Sequence, residues 1–271
     1  MTSLEIYNPR MTYNTAAIDY DTTSVDFWRY AAVETVQRLG LVPGGSLLDV
    51  ACGPGPAALA AAERVGSHGS VLGVDIAEEM IALAREHAAE APAPQAEFVV
   101  GSMDDLDVGA DRFDAATCVF GIFFARDVRA SIAEMAGAVR PGGQVAVTSL
   151  GPKFFSPLYE KFIEAALAEH PGLDVDVPWH RTEDPEVMRA HLQAAGLEQV
   201  EVVHEVSALP LQTPQDWWRI ATGTGIRRLI MELEPSAADR VREQNLAWIT
   251  DQGIDHVELG VIYCTGVVAE S

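Results

Sequence analysis

The sequence predicts an α/β protein built on a mainly parallel sheet, and three observations predict it. Helical and strand patterns alternate from residue 25 to about 150, the signature of parallel strands joined by crossover helices. An apolar run, Leu47-Leu48-Asp49-Val50, passes directly into the glycine turn Gly53-Pro54-Gly55 and then into a small-residue helix. The chain has 271 residues, 48% of them hydrophobic, which suits one large domain or a domain with a modest cap.

The elements follow in order. Trp28, Ala32, Val36 and Leu39 repeat at helical spacing, and Leu41-Val42-Pro43-Gly44-Gly45 ends that helix with breakers. Residues 46–50 read as a short buried strand and 57–65 as the next helix. Residues 71–75 are strand two, 77–90 a helix with Met80, Ala84 and Ala88 on one face, 98–100 strand three and 113–119 strand four. Asp127 is placed to cap a helix that ends at Arg140-Pro141-Gly142-Gly143, after which 144–149 form strand five.

The second half is less regular. Residues 153–179 hold several prolines, an amphipathic stretch at 158–170 and aromatic residues expected to be exposed, which reads as an insertion or lid. Asp184-Pro185-Glu186 starts a helix that carries Met188, Leu192 and Ala195 on one face and stops at Gly196. Residues 200–206 alternate as strand six. Thr213-Pro214-Gln215-Asp216 combines a capping box with proline in the first helical position, and Ser236 with Asp239 is a weaker start. A helical block therefore fills roughly 213–251, and 258–268 form the last strand. This divides the chain into an N-terminal helical segment (1–45), a ligand-binding core (46–151) and a remainder (152–271) with helical cap insertions at 152–183 and 208–254.

Charge and cysteine usage exclude several functions. Lys and Arg number 18 against 40 Asp and Glu, a net charge of −22 with a mean hydropathy of +0.09. That sign repels phosphate backbones and anionic lipid surfaces, so neither nucleic acid nor membrane is an expected partner. Cys52, Cys118 and Cys264 are odd in number and widely spaced, which argues against a disulfide framework or zinc site and fits a reducing cytoplasm. No apolar run approaches the ~18 residues of a membrane helix, and the polar N-terminus has no basic flank followed by an apolar stretch.

The glycine turn carries the strongest chemical signal. Glycines at 53 and 55 remove Cβ atoms that would keep a ligand off the backbone, and the turn aims unpaired helix amides outward. Gly53-x-Gly55-x-x-Ala58 formally meets the dinucleotide-binding spacing, and a tight turn with no ligand is the bland alternative. Two features add to it. Asp75 ends strand two, 22 residues after Gly53, where a carboxylate can accept both hydroxyls of a ribose. Gly101-Ser102-Met103-Asp104 follows strand three with a hydroxyl and an acid suited to an adenine amino group.

With these residues in place the sequence resembles the class I S-adenosylmethionine-dependent methyltransferases, particularly the ubiquinone/menaquinone methyltransferase-like group. The matching segments are residues 47–62, 71–84, 98–104, 113–127 and 140–147, which lie within a span of about 100 residues in the family's order and spacing. The resemblance implies a Rossmann-like seven-stranded sheet whose last strand is antiparallel, with a helical substrate cap. It implies S-adenosylmethionine as cofactor and a small organic molecule as methyl acceptor. Asp49 and the backbone of Ala51, Cys52, Gly53 and Gly55 would hold the methionine part. Asp75 would take the ribose, with Ile76 and Met80 packed beside the sugar or adenine. Gly101, Ser102 and Met103 would flank the adenine, and Phe120 would lie near the sulfonium. Tyr20-Asp21 and Phe27-Trp28 look like the segment that covers the cofactor, with plain core packing as the alternative.

A sulfonium methyl is already activated, so alignment and exclusion of water are the main requirements, and a base is needed only for a protonated acceptor. His180, in Pro178-Trp179-His180 of the lid, is the best-placed base candidate; a solvated loop histidine is the competing reading. Trp217, Trp218, Tyr159, Phe154 and Phe155 could line an apolar pocket or form cap core. No hydrolase triad, P-loop or metal-ligand cluster is present. Two other readings stand beside methyl transfer: a nicotinamide-dependent oxidoreductase, and an enzyme that uses the bound sulfonium for a non-methylating rearrangement.

Overall fold

Leu47, Leu48 and Val50 are fully buried because their strand lies at the centre of a sheet covered on both faces. The computed structural model describes residues 9–14, 25–91 and 93–270. Residues 9–14 are helical. The following elements are α1 (Val25–Gln37), β1 (Ser46–Val50), α2 (Pro56–Val65), β2 (Ser70–Asp75), α3 (Glu78–Glu90), β3 (Ala96–Val100), β4 (Phe113–Val119), α4 (Val128–Ala138) and β5 (Val139–Leu150). Then come α5 (Leu158–Glu169), α6 (Pro185–Ala194), β6 (Leu197–Pro210), α7 (Pro214–Thr222), α8 (Arg227–Met231), α9 (Pro235–Gln252) and β7 (His256–Val268), with 3-10 turns at Ile122–Phe124 and Pro178–Arg181.

The seven strands form one sheet in the order β3-β2-β1-β4-β5-β7-β6. β1 to β5 are mutually parallel, and β7 runs antiparallel to both of its neighbours, as expected. One face is covered by α1, α2 and α3, where Ala57, Ala58, Ala61 and Ala62 let α2 lie close against the strands. The other face packs Val128, Ile132 and Met135 of α4 and Met188 and Leu192 of α6. A third apolar cluster joins α5 to α7, α8 and α9 around Phe162, Trp217 and Leu229. Trp217 Nε1 donates to buried Asn245 Oδ1 at 3.3 Å, so its polar atom is satisfied inside that cluster.

Three of the start signals behave as read, whereas the helix expected from Ser236 and Asp239 begins at Pro235 after Glu234, which leaves Ser236 inside it. Asp127 Oδ1 accepts from Ala130 N at 3.0 Å, Asp184 Oδ1 from Glu186 N at 2.8 Å, and Asp216 Oδ2 from Thr213 N at 2.7 Å. Three expectations need correction. Strand five begins at Val139, five residues early, because Val139 pairs with Phe113 before a register shift and Arg140 Nε donates to Asp114 Oδ1 at 2.5 Å, which keeps the Arg-Pro-Gly-Gly stretch against β4. Strand six runs from Leu197 to Pro210 and pairs with β7 along most of that length. Its ends lack an apolar alternation because β6 is the sheet's edge and largely solvent-facing. Phe154 and Phe155 are buried rather than exposed, since they pack into the cap cluster. Tyr20 and Asp21 lie outside the described residues.

Candidate active site

The strand order reverses between β1 and β4, which opens a crevice at the carboxyl ends of the parallel strands. A cavity occupies it, about 1390 Å³ including the solvent at its mouth. Four strand ends deliver its first half: Asp49 and the turn after β1, Asp75 and Ile76 after β2, Gly101 to Asp104 after β3, and Phe120 after β4.

Asp49 is the most constrained group. It is 1% exposed, and its Oδ2 has no hydrogen-bond partner. Burial pushes its carboxyl up to about 8; an amide of Ala58 in the first turn of α2 opposes this, and the nearby charge of Asp75 adds to it. A buried carboxyl in this condition suits a cationic ligand group, which would restore its ionised form.

Asp75 is held by the turn it faces. Its Oδ2 accepts from Gly53 N at 2.8 Å and its Oδ1 from Ala77 N at 2.9 Å. Burial raises its pKa, and these backbone amides work against the rise. Each oxygen keeps a further lone pair, so the carboxylate ties the glycine turn to β2 and can still accept from a ligand. Ile76, Met80, Ser102 and Met103 line the same part of the cavity, with Ile76 exposed at its rim and Met80 buried.

The two glycines divide their tasks. Gly53 has open space where a Cβ would stand, and it lines the cavity. Gly55 is not among the lining residues. Its φ of +92° starts α2, and a Cβ there would lie 3.2 Å from the Phe98 ring, so this glycine is required by the turn and by packing rather than by ligand contact. Asp104 lines the cavity, yet its Oδ1 is engaged by Arg126 N at 3.0 Å and Ser131 Oγ at 3.1 Å, pinning the connection before α4.

The other half of the cavity is aromatic. Trp28 of α1 meets Phe120 edge-on at 4.8 Å, and Phe27 approaches Phe120 and Phe154 at 5.6 and 5.7 Å. Phe123, Phe124, Phe154, Phe155, Trp179 and Ile226 complete this wall. Trp217, Trp218 and Tyr159 belong to cap core and do not line it.

Sequence reasoning missed Gly121 and the 223–226 loop. A Cβ at Gly121 would collide with that of Ala51, so this glycine lets the turns after β1 and β4 meet. Ala51 and Phe120 themselves take positive φ of 55° and 54°, strain concentrated at a ligand cleft. Only Gly121 left a trace in the sequence, next to Phe120 at a strand end. His180 does not join the cavity. It is exposed, 3.7 Å from Asp176 Oδ1, and no histidine, lysine or arginine is among the described lining residues. The 3-10 turn aims Trp179 inward and its neighbour outward.

Comparison with known proteins agrees with this geometry. Residues 47–143 match the family described as "Methyltransferase domain". Over 207 residues the chain is 32% identical to the nocamycin O-methyltransferase of Saccharothrix syringae, spanning 72% of this chain and 74% of that one. The chain is a class I S-adenosylmethionine-dependent methyltransferase. This methyltransferase is also 36% identical over 112 residues to the demethylmenaquinone methyltransferase of Shouchella clausii, covering 41% of this chain and about half (48%) of that enzyme. Its fold matches the YcgJ protein of Bacillus subtilis with a TM-score of 0.60 at 21% identity, covering 89% and 99% of the two chains. The methyltransferase takes S-adenosylmethionine as cofactor and transfers its methyl group to a small-molecule acceptor.

Proposed function

We propose that the two halves of the cavity are a cofactor site and an acceptor chamber, and that the acceptor is a flat, mainly apolar natural product or quinone-like metabolite. The observation that carries this reading is the partnerless, buried Asp49 Oδ2 in a cavity that joins a polar strand-end crevice to an aromatic wall. Asp49 and the Ala51, Cys52 and Gly53 backbone suit the cationic methionine part. Asp75 suits the ribose diol. Ile76, Met80, Gly101, Ser102 and Met103 border the part of the cavity that suits the adenine, and Phe120 stands between the two halves.

When bound, the cofactor supplies a methyl group activated on a sulfonium. The protein's part is to hold the acceptor's nucleophilic atom in line with that methyl and to exclude water. Trp28, Phe120 and Phe154 form the dry wall for this, and the strained backbone at Phe120 fixes the ring's position. The helices of 152–183 and 208–254 act as the acceptor-selecting cap on the 46–151 core, with 1–45 as the covering segment. The three cysteines are buried and unpaired, which supports a reducing cytoplasm as the setting. Among the described residues no helix is long and apolar enough to cross a membrane.

The test is a thermal-shift series. S-adenosylhomocysteine should raise the unfolding midpoint, whereas NAD and NADP should leave it in place. A rise with NAD and none with S-adenosylhomocysteine would overturn the assignment of the polar half.

A further inference from the structure

We propose that Trp179 is the specificity-determining wall of the acceptor chamber, set in a fixed slot against which a flat conjugated ring of the acceptor lies. This inference rests on the division of the cavity proposed above. Trp179 is half-buried, borders the cavity and sits on the 3-10 turn at Pro178–Arg181.

Three independent fixings hold it. Thr182, fully buried, shares a 2.7 Å hydrogen bond between its Oγ1 and Ser149 Oγ at the end of β5, and its amide donates to Trp179 O at 3.0 Å. Arg181 Nη1 donates to Ala125 O at 2.9 Å, tying the turn to the connection before α4. On the far side, the indole lies against Gly225, where a Cβ would come within 2.9 Å of Trp179 Cζ3. The ring therefore spans from the sheet to the α7–α8 connection, and its room depends on the missing side chain at 225. Phe123 approaches it at 6.4 Å from the core side. Tyr159 adds a tilted ring contact at 6.1 Å, and the indole's cavity-lining edge is where a ligand ring would meet it, since stacked or edge-on aromatic pairs favour such a partner. A buried hydroxyl pair spent on a short turn costs desolvation unless both groups stay bonded, which makes Ser149 and Thr182 positioning residues for the indole.

The experiment is calorimetric titration of three flat bicyclic probes (2-methyl-1,4-naphthoquinone, 1,4-dihydroxy-2-naphthoate and 1-naphthol) into the protein saturated with S-adenosylhomocysteine. Trp179→Ala should weaken the probe that wild type binds best by roughly tenfold or more, and Trp179→Phe by no more than about threefold. Gly225→Ala, which pushes the indole into the chamber, and Thr182→Val, which unbolts it, should each weaken the probe while S-adenosylhomocysteine affinity stays unchanged. Unaltered probe affinity in Trp179→Ala, or no probe bound by wild type, overturns the proposal. So does a parallel loss of cofactor affinity in Trp179→Phe and Gly225→Ala, since the turn would then be plain scaffold. Wild type that fails to bind S-adenosylhomocysteine would instead sink the cofactor assignment beneath it.

Discussion

The polar half of the cavity draws on residues 49–57, 74–80 and 101–104, each run lying where one parallel strand ends, whereas the aromatic half draws on residues 28, 120–124, 154–155, 179 and 223–226 from segments that no motif joins. In the first, backbone amides and two carboxylates within 26 residues of each other, Asp49 and Asp75, set the chemistry, and the strands' register fixes their spacing. In the second, side chains from the N-terminal helix, the sheet's far strands and the cap meet only through packing. A site built on strand ends tolerates little variation in backbone, while one built on packed rings can change its shape by exchanging side chains. Under the proposed division of the cavity, that difference would separate a shared cofactor from a variable acceptor.

The largest effect should come from Asp75→Ala. Charged hydrogen bonds to two hydroxyls are worth on the order of 1.5–3 kcal/mol each, so S-adenosylmethionine affinity should fall at least roughly tenfold. The carboxylate also holds Gly53 N and Ala77 N, so the ligand-free variant should melt lower as well; an isolated ligand contact would not do this. Asp75→Asn should lose less on both counts. Titration calorimetry with a thermal melt reads both effects, and unchanged affinity in the folded Ala variant would break the strand-end half of the comparison.

Asp49 sharpens the same half through pH. Its folded pKa, about 8, lies above the ordinary 3.8, so the native protein holds one proton more than the unfolded chain between roughly pH 4 and 8. Ligand-free stability should therefore decline as pH rises through that window, and Asp49→Asn should flatten the decline. Binding of a cation that ionises Asp49 releases that proton, so affinity should climb towards pH 8 by up to about tenfold per unit in wild type only. Proton release is measured by calorimetry in buffers of different ionisation enthalpy; equal release by Asp49→Asn would sink the pairing.

Gly55→Ala tests scaffold rather than contact. A positive φ and the Phe98 ring should cost about 1–3 kcal/mol of stability, several degrees in the melting midpoint, with S-adenosylhomocysteine affinity of the folded protein little changed. A loss of affinity without loss of stability would return Gly55 to the ligand. The smallest effect belongs to His180→Ala. An exposed side chain outside the cavity should alter kcat and KM by no more than about twofold. A large drop in kcat with KM unchanged would restore it as a base.

How much could be read before folding follows from these particulars. β1 and β4 were legible to the residue because both faces of each are buried and their ends meet glycine or a cap. The boundaries of β5 and β6 were not, because Arg140-Pro141-Gly142-Gly143 reads as a helix stop and the edge strand is largely solvent-facing, with no apolar alternation at its ends. In the site, Gly53 and Asp75 stood out by spacing, and Asp49 entered through the family resemblance. Gly55 was visible as a glycine, but its packing against Phe98 was not, since nothing local says that Phe98 lies beneath it. His180 was chosen over Trp179 although they are adjacent, because which of two neighbouring side chains a 3-10 turn sends inward depends on what the turn docks against.

By itself, the sequence determined the parallel core, the strand-end carboxylates and the glycine turn, while the antiparallel sense of the closing strand came only from the family resemblance. These are local properties: hydrophobic period, turn chemistry and short spacings that fold into place within one βαβ unit. Only the tertiary structure decided that Asp75 bolts the turn as well as facing the cavity, that Gly121 and Gly225 make room for close approaches, and that rings from residues 28, 120, 154 and 179 share one wall. Those facts depend on contacts between residues tens to more than a hundred positions apart, and they exist only once the chain has packed.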